Sequence, residues 1–213
     1  MQYLRAQGYN NIKLINQDYL RLGTEEIINI TNDFNPDIIG ISGVVSTGYN
    51  YIKNLSTELK KMKNNVPIVL GGPLGASAHL LLQKTGVDIV CISEGEYVMR
   101  DLLSIKFEKE KLNSVKGIVF KDNNGKAVNT GYADTVDPKL IYEIDYEDIN
   151  QNPGELDYYM PKEYKDSNNL KTFSIPGSKG CVAKCTFCHR WDKGIRYIPV
   201  DLVMNRLDDL INN

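Results

Sequence analysis

The first hundred residues predict a doubly wound α/β sheet. Two observations carry that expectation. Short apolar runs rich in Ile and Val recur at residues 12–15, 38–41, 66–70 and 87–92. They are nearly continuous, as in strands buried on both faces of a parallel sheet. Helical patterns lie between them, and such alternation is the mark of an α/β layer architecture.

Taken in order, Met1-Gln-Tyr-Leu-Arg-Ala-Gln-Gly8 reads as the tail of a helix ending at glycine. Thr24 is placed to cap a helix carrying Ile27, Ile28 and Phe34. Ile52, Leu55, Leu59 and Met62 recur at intervals of three and four and predict one apolar helix face. His79, in Ser77-Ala-His-Leu-Leu-Leu82, is expected on a helix as a surface or packed residue. Cys91, inside an apolar run, reads as a small buried hydrophobe.

Ligands of such sheets bind beyond the carboxyl ends of the strands. Three small-residue turns fall there: Gly40-Ile-Ser42-Gly43 with Ser46-Thr47-Gly48, then Gly71-Gly72-Pro73-Leu74-Gly75, then Ser93-Glu94-Gly95-Glu96. Small residues let a large flat ligand approach the backbone, and hydroxyls can bond its polar edge. Ordinary tight turns explain the same residues equally well. Glu94 and Glu96 suit the positive end of a following helix.

If the strand order is 2-1-3-4-5, the strand without a counterpart here is the first, which sits between its neighbours. Its loss leaves central backbone groups unpaired, which is costly. The expectation is therefore an N-terminally incomplete domain over residues 1–106. After it, Lys116-Gly-Ile-Val-Phe-Lys121 and Lys126-Ala-Val128 flank Asn124-Gly125, a strong hairpin signal. Residues 131–169 are rich in Asp, Glu, Tyr and Pro and read as irregular, so 107–170 is a hairpin and linker. A strand at 171–175 opens a third region, 171–213, and Pro199 starts a helix with the stripe Val200, Val203, Leu207 and Leu210.

Three cysteines crowd the start of that region: Cys181-Val-Ala-Lys-Cys185-Thr-Phe-Cys188. Three thiolates at C-x3-C-x2-C spacing can hold three corners of a cubane iron–sulfur cluster and leave the fourth iron open. Gly177 and Gly180 allow the backbone to curl round the cluster. Lys179 and Lys184 supply nearby positive charge, which favours thiolates. Phe187 is placed to shield the cluster from water. Zinc held by the three cysteines and His189 is an alternative. Covalent haem is another, from Cys185-Thr-Phe-Cys188-His189. A disulfide is the third, disfavoured in a reducing compartment.

The run Ser178-Lys179-Gly180-Cys181-Val-Ala-Lys-Cys185-Thr-Phe-Cys188 resembles the cluster loop of radical S-adenosylmethionine (SAM) enzymes. The upstream half resembles the flavodoxin-like cobalamin-binding domain that one class of these enzymes carries. The resemblance implies a 4Fe–4S cluster on Cys181, Cys185 and Cys188, with Phe187 on the SAM side of the loop. It implies cobalamin contacts at Ser42, Ser46, Gly71 and Gly72. The Asp-x-His-x-x-Gly cobalt-binding motif of many cobalamin domains is absent. The implied activity is reductive cleavage of SAM, with cobalamin delivering a methyl group to an unactivated carbon in many members. The implied partner is an electron donor such as flavodoxin or ferredoxin, and the substrate is not identified. Residues 171–213 hold one β/α unit of a partial barrel, so the chain is expected to be a fragment. A non-catalytic cobalamin- or metal-binding remnant, and a zinc-binding interaction module, are the rival readings.

Composition agrees with an enzyme of the cytoplasm. The chain has 213 residues, 42% of them hydrophobic, and a net charge of −2. That charge implies no broad attraction to nucleic acid. No apolar run approaches the ~20 residues of a membrane span, and no secretory leader pattern opens the chain.

Overall fold

Three parallel strands and an antiparallel hairpin form one five-stranded sheet, in the spatial order β1-β2-β3-β4-β5. The computed structural model describes residues 1–142, 151–159, 175–186, 188 and 194–212. The described chain divides into two compact units. One comprises residues 23–136 and 183–192, and the other 1–22, 137–182 and 193–213.

The sheet belongs to the first unit. Helix α3 (Thr24–Phe34, following the short helices α1, Gln2–Ala6, and α2, Gln17–Leu20) leads into β1 (Ile39–Ser42). Helix α4 (Tyr49–Met62) leads to β2 (Ile68–Gly71), α5 (Ala78–Lys84) to β3 (Ile89–Cys91), and α6 (Gly95–Ser104) follows β3. The parallel register sets Ile39 beside Ile68 and Ser42 beside Gly71, then Leu70 beside Val90. Strands β4 (Ile118–Lys121) and β5 (Ala127–Asn129) continue the sheet in antiparallel sense, with Cys91 beside Ile118. The hairpin that the sequence grouped with a linker thus completes the sheet.

Strands β2 and β3 are buried throughout, as strands covered on both faces must be. Alternation sends Val69, Ile89, Cys91, Ile118 and Phe120 to a core shared with Val98, Leu102, Leu112 and Val115. Ile68, Leu70, Val90 and Val119 are buried too and alternate with that set, so they serve the opposite face.

Several expectations are corrected. Residues 12–15 are not a strand: the segment is irregular, and the Ile12 N–H bonds back to the Asn10 carbonyl at 2.9 Å. Apolar content alone does not make a strand without a backbone partner. Gly23, not Thr24, caps α3, where the Glu26 carboxylate accepts the Gly23 N–H at 2.7 Å. Met62 ends α4 more than half exposed, while Ile52, Leu55 and Leu59 carry the buried face. The hairpin turn is as expected, with Gly125 at φ 77°.

In the second unit, β6 (Ser178–Cys181) pairs antiparallel with β7 (Gly194–Tyr197). The first half of the cysteine loop is therefore itself a strand. Of the strand expected at 171–175, only Ile175 lies within the described residues, and it is not in a strand. Helix α7 (Glu155–Tyr159) lies earlier in this unit, and α8 (Val200–Asn212) begins directly after Pro199, as predicted. Its stripe is less buried than expected, with Val200 and Leu207 exposed and Val203 half-buried.

Candidate functional site

The parallel strands β1, β2 and β3 all finish on one edge of the sheet, and the small-residue turns lie there. Ser42 closes β1 directly beside Gly71, the last residue of β2. The two turns are tied by backbone bonds. The Gly43 N–H donates to the Gly71 carbonyl at 2.8 Å, and the Leu74 N–H donates to the Gly43 carbonyl at 2.9 Å. Gly72 makes the approach possible. At φ 88° and ψ 177° it occupies a region essentially reserved for glycine, and a Cβ there would stand 2.6 Å from the Gly43 oxygen. Ser42, Ser46 and Gly72 are exposed and Gly71 is half-buried, so the structure brings the four predicted cobalamin residues to one accessible edge.

Val44 and Val45 stand on the same edge with 63% and 57% of their surface exposed. Sequence reading did not single them out, because an apolar pair beside a strand looks like core. Two adjacent exposed valines beside two exposed serines make a surface suited to a flat ligand with an apolar face and a polar rim. His79 is exposed on α5. Cys91 is 4% exposed, and its Sγ donates to the Ser93 carbonyl at 3.2 Å. Burial, with the charge of Glu96 adding to it, pushes its thiol up to about 11. This cysteine is an inert packing residue, as predicted.

The carboxylates of the third turn differ in exposure. Glu94 is buried, and its Oε2 accepts the Val136 N–H at 2.6 Å. Glu96 is half-buried in the first turn of α6.

Cys181 ends β6, and Cys185 and Cys188 follow it in chain order. All three are exposed, and none is in a disulfide. The Cys188 N–H donates to the Cys185 carbonyl at 3.2 Å, forming a tight turn. Among the described residues, no three His, Cys, Asp or Glu side chains are gathered as a metal-binding group. Phe187 and His189 lie outside the described residues. The donor set suits an iron–sulfur cluster, because three accessible thiols within eight residues are what its irons bind.

Residues 1–103 match the family model for the B12 binding domain. This part of the chain is similar to that family. The match runs from α1 through nearly all of α6 and takes in all three turns of the carboxyl edge. Over nearly its whole length the chain is similar to cobalamin-dependent radical SAM enzymes. It is 28% identical to 4'-phospho-dehydrooxetanocin synthase of Priestia megaterium, over 98% of this chain and 27% of that enzyme. It is 26% identical to cytidylyl-2-hydroxyethylphosphonate methyltransferase of Streptomyces wedmorensis, over 95% of this chain and 43% of that enzyme. Among solved structures it matches the cobalamin-dependent S-adenosylmethionine radical enzyme OxsB with aqua-cobalamin bound. There the TM-score is 0.75 and the identity 25%, over 99% of this chain and 28% of the other. The chain therefore spans well under half the length of these curated relatives. Among the described residues, no helix is long and apolar enough to cross a membrane.

Proposed function

We propose that this chain is the cofactor-binding portion of a cobalamin-dependent radical SAM enzyme. In this reading the carboxyl edge of the sheet holds cobalamin, and Cys181, Cys185 and Cys188 hold a 4Fe–4S cluster. The observation that carries it is the convergence of Ser42, Ser46, Gly71 and Gly72 on one open edge of a B12 binding domain. Ser42 and Ser46 would hydrogen-bond the polar rim of the ligand. Gly71 and Gly72 would let it lie close to the backbone, and Val44 and Val45 would cover an apolar face and keep water from it.

The three thiolates would hold the cluster by three irons, and Lys184, exposed between two of them, would offset their charge. Phe187 is assigned to the SAM side of that loop. When bound, the cofactors supply one-electron cleavage of SAM and transfer of an alkyl group, while the protein contributes binding, orientation and exclusion of water. The relatives comprise methyltransferases and a synthase, so the reading commits to the cofactor set, with methyl transfer to carbon as the first reaction to assay. An electron donor such as flavodoxin or ferredoxin, and a cytoplasmic setting, belong to the same reading.

The test is anaerobic reconstitution of the 213-residue chain with iron and sulfide, followed by elemental analysis. Four irons and four sulfides per chain are expected, from the composition of such a cluster, and Cys185→Ala should lose them. Zinc without sulfide, or full loading in Cys185→Ala, would overturn the cluster assignment.

A further inference from the structure

The Ser93-Glu94 pair faces the chain rather than solvent. Both side chains are nearly buried, at 8% and 4% exposure, although neither residue type belongs in a core. Both meet a segment that returns from β5. The Ala133 N–H donates to Ser93 Oγ at 2.9 Å, and the Val136 N–H donates to Glu94 Oε2 at 2.6 Å. These bonds join positions 40 and 42 residues apart in sequence.

The segment is anchored at its start as well. Thr130 bonds both the N–H and the carbonyl of Ile118, and the Gly117 N–H donates to the Gly131 carbonyl at 2.8 Å. Gly117 in turn accepts the Ile92 N–H at 2.8 Å, which links the return segment to the end of β3. Gly117 sits at φ 86°, and a Cβ there would come within 3.0 Å of Val98, Ser93 Oγ and Ala133. Residues 130–136 are thus strapped against the turn that follows β3, on the edge where β3 ends. The buried Val136 marks the far end of the strap.

We propose that Ser93 and Glu94 are a two-point clasp that holds residues 130–136 as a fixed wall on the β3 side of the ligand edge. They are positioning residues, not ligand contacts. Glu94 is the stronger point, because a carboxylate accepting a backbone N–H makes a charge-assisted bond. Without it, the strap keeps Thr130, Gly131 and the Ala133 bond to Ser93 but loosens toward Val136, and the ligand edge loses the far part of its wall. The second part of this inference rests on the cobalamin reading of that edge.

The experiment compares the wild-type chain with Glu94→Ala, Glu94→Gln and Ser93→Ala. Each is followed by amide hydrogen exchange and by equilibrium dialysis against aquacobalamin. Glu94→Ala should exchange the amide of Val136 at least about tenfold faster, and Ser93→Ala that of Ala133, since loss of about 1.4 kcal/mol of protection is tenfold. Protection of residues 118–121 should persist, and aquacobalamin affinity should fall several-fold. Glu94→Gln keeps an acceptor oxygen but not the charge and should fall between wild type and Glu94→Ala. Ser93→Ala removes only the Ala133 bond and decides the matter if Glu94→Ala does not fold. Wild-type exchange at residues 133–136 in both alanine variants would overturn the clasp. Faster exchange with unchanged affinity would overturn its role at the ligand edge. If the wild-type chain takes up no aquacobalamin, the cobalamin reading falls, and the exchange data still decide whether the clasp exists.

Discussion

Four cysteines share one chain, yet their surroundings divide them sharply. Cys91 is buried with its thiol raised to about 11, whereas Cys181, Cys185 and Cys188 are exposed. Thiolates are the reactive form. Iodoacetamide at pH 8 should therefore alkylate three cysteines of the native, metal-free chain. Cys91 should react only after denaturation, and mass spectrometry of tryptic peptides reads the difference. Gly72 is the second residue on which much depends. Its φ of 88° and the 2.6 Å approach to the Gly43 oxygen leave no place for a Cβ. Gly72→Ala should cost about 2–4 kcal/mol, combining backbone strain with local overpacking, as measured by urea unfolding. Glu155 is the third. Burial works to raise its carboxyl, but hydrogen bonds from Asn152 and Asn16 outweigh it and hold the group below its ordinary value. A depressed carboxylate contributes stability above the unfolded value of about 4.3, and that contribution fades as pH falls through the folded value. The stability gap between wild type and Glu155→Gln should be full at pH 7 and shrink below about pH 4. A gap unchanged down to pH 3 would contradict the assignment.

At the scale of elements, the sequence signals that proved legible were periodic or local. Ile and Val runs marked β1, β2 and β3, and three-and-four spacing marked the buried face of α4. Asn124-Gly125 marked the hairpin, and the glycine adopts the positive φ that the turn needs. What escaped was pairing and distance. Residues 12–15 have the composition of a strand but no ladder, and composition does not specify a partner. Ser178 to Cys181 looked like loop because glycine and polar residues dominate, yet β7 supplies the pairing that makes them a strand. The Glu94 to Val136 bond spans 42 residues and leaves no local pattern to read. The hairpin offers a test at this scale. Asp122 Oδ1 accepts the N–H groups of Asn124 and Lys126 at 2.9 and 2.8 Å. Asp122→Ala should lower stability by about 1–2 kcal/mol, the worth of hydrogen bonds to an exposed charged acceptor, read as a shift in urea midpoint.

At the scale of the whole molecule, the edge that carries the candidate cofactor residues was legible because doubly wound sheets bind ligands at one defined edge. Strand ends place Ser42, Ser46, Gly71 and Gly72 on that edge, and the resemblance supplies their proposed role. The wall of that edge was not legible, because it is built by a segment returning from beyond the hairpin. The central claim is that cobalamin lies on the carboxyl edge and nowhere else on the sheet. Its most direct test is equilibrium dialysis of aquacobalamin against wild type, Ser46→Trp and Asn64→Trp. Ser46 is exposed on the carboxyl edge, and Asn64 is exposed in a cleft at the opposite edge, beside Pro67, Asp88 and Lys121. A tryptophan at either place is accommodated by solvent and blocks only what binds there. The account predicts one equivalent bound by wild type and Asn64→Trp, and a loss of at least tenfold in affinity in Ser46→Trp with its circular dichroism unchanged. Binding in Ser46→Trp equal to wild type, or no binding by the folded wild-type chain, would contradict it.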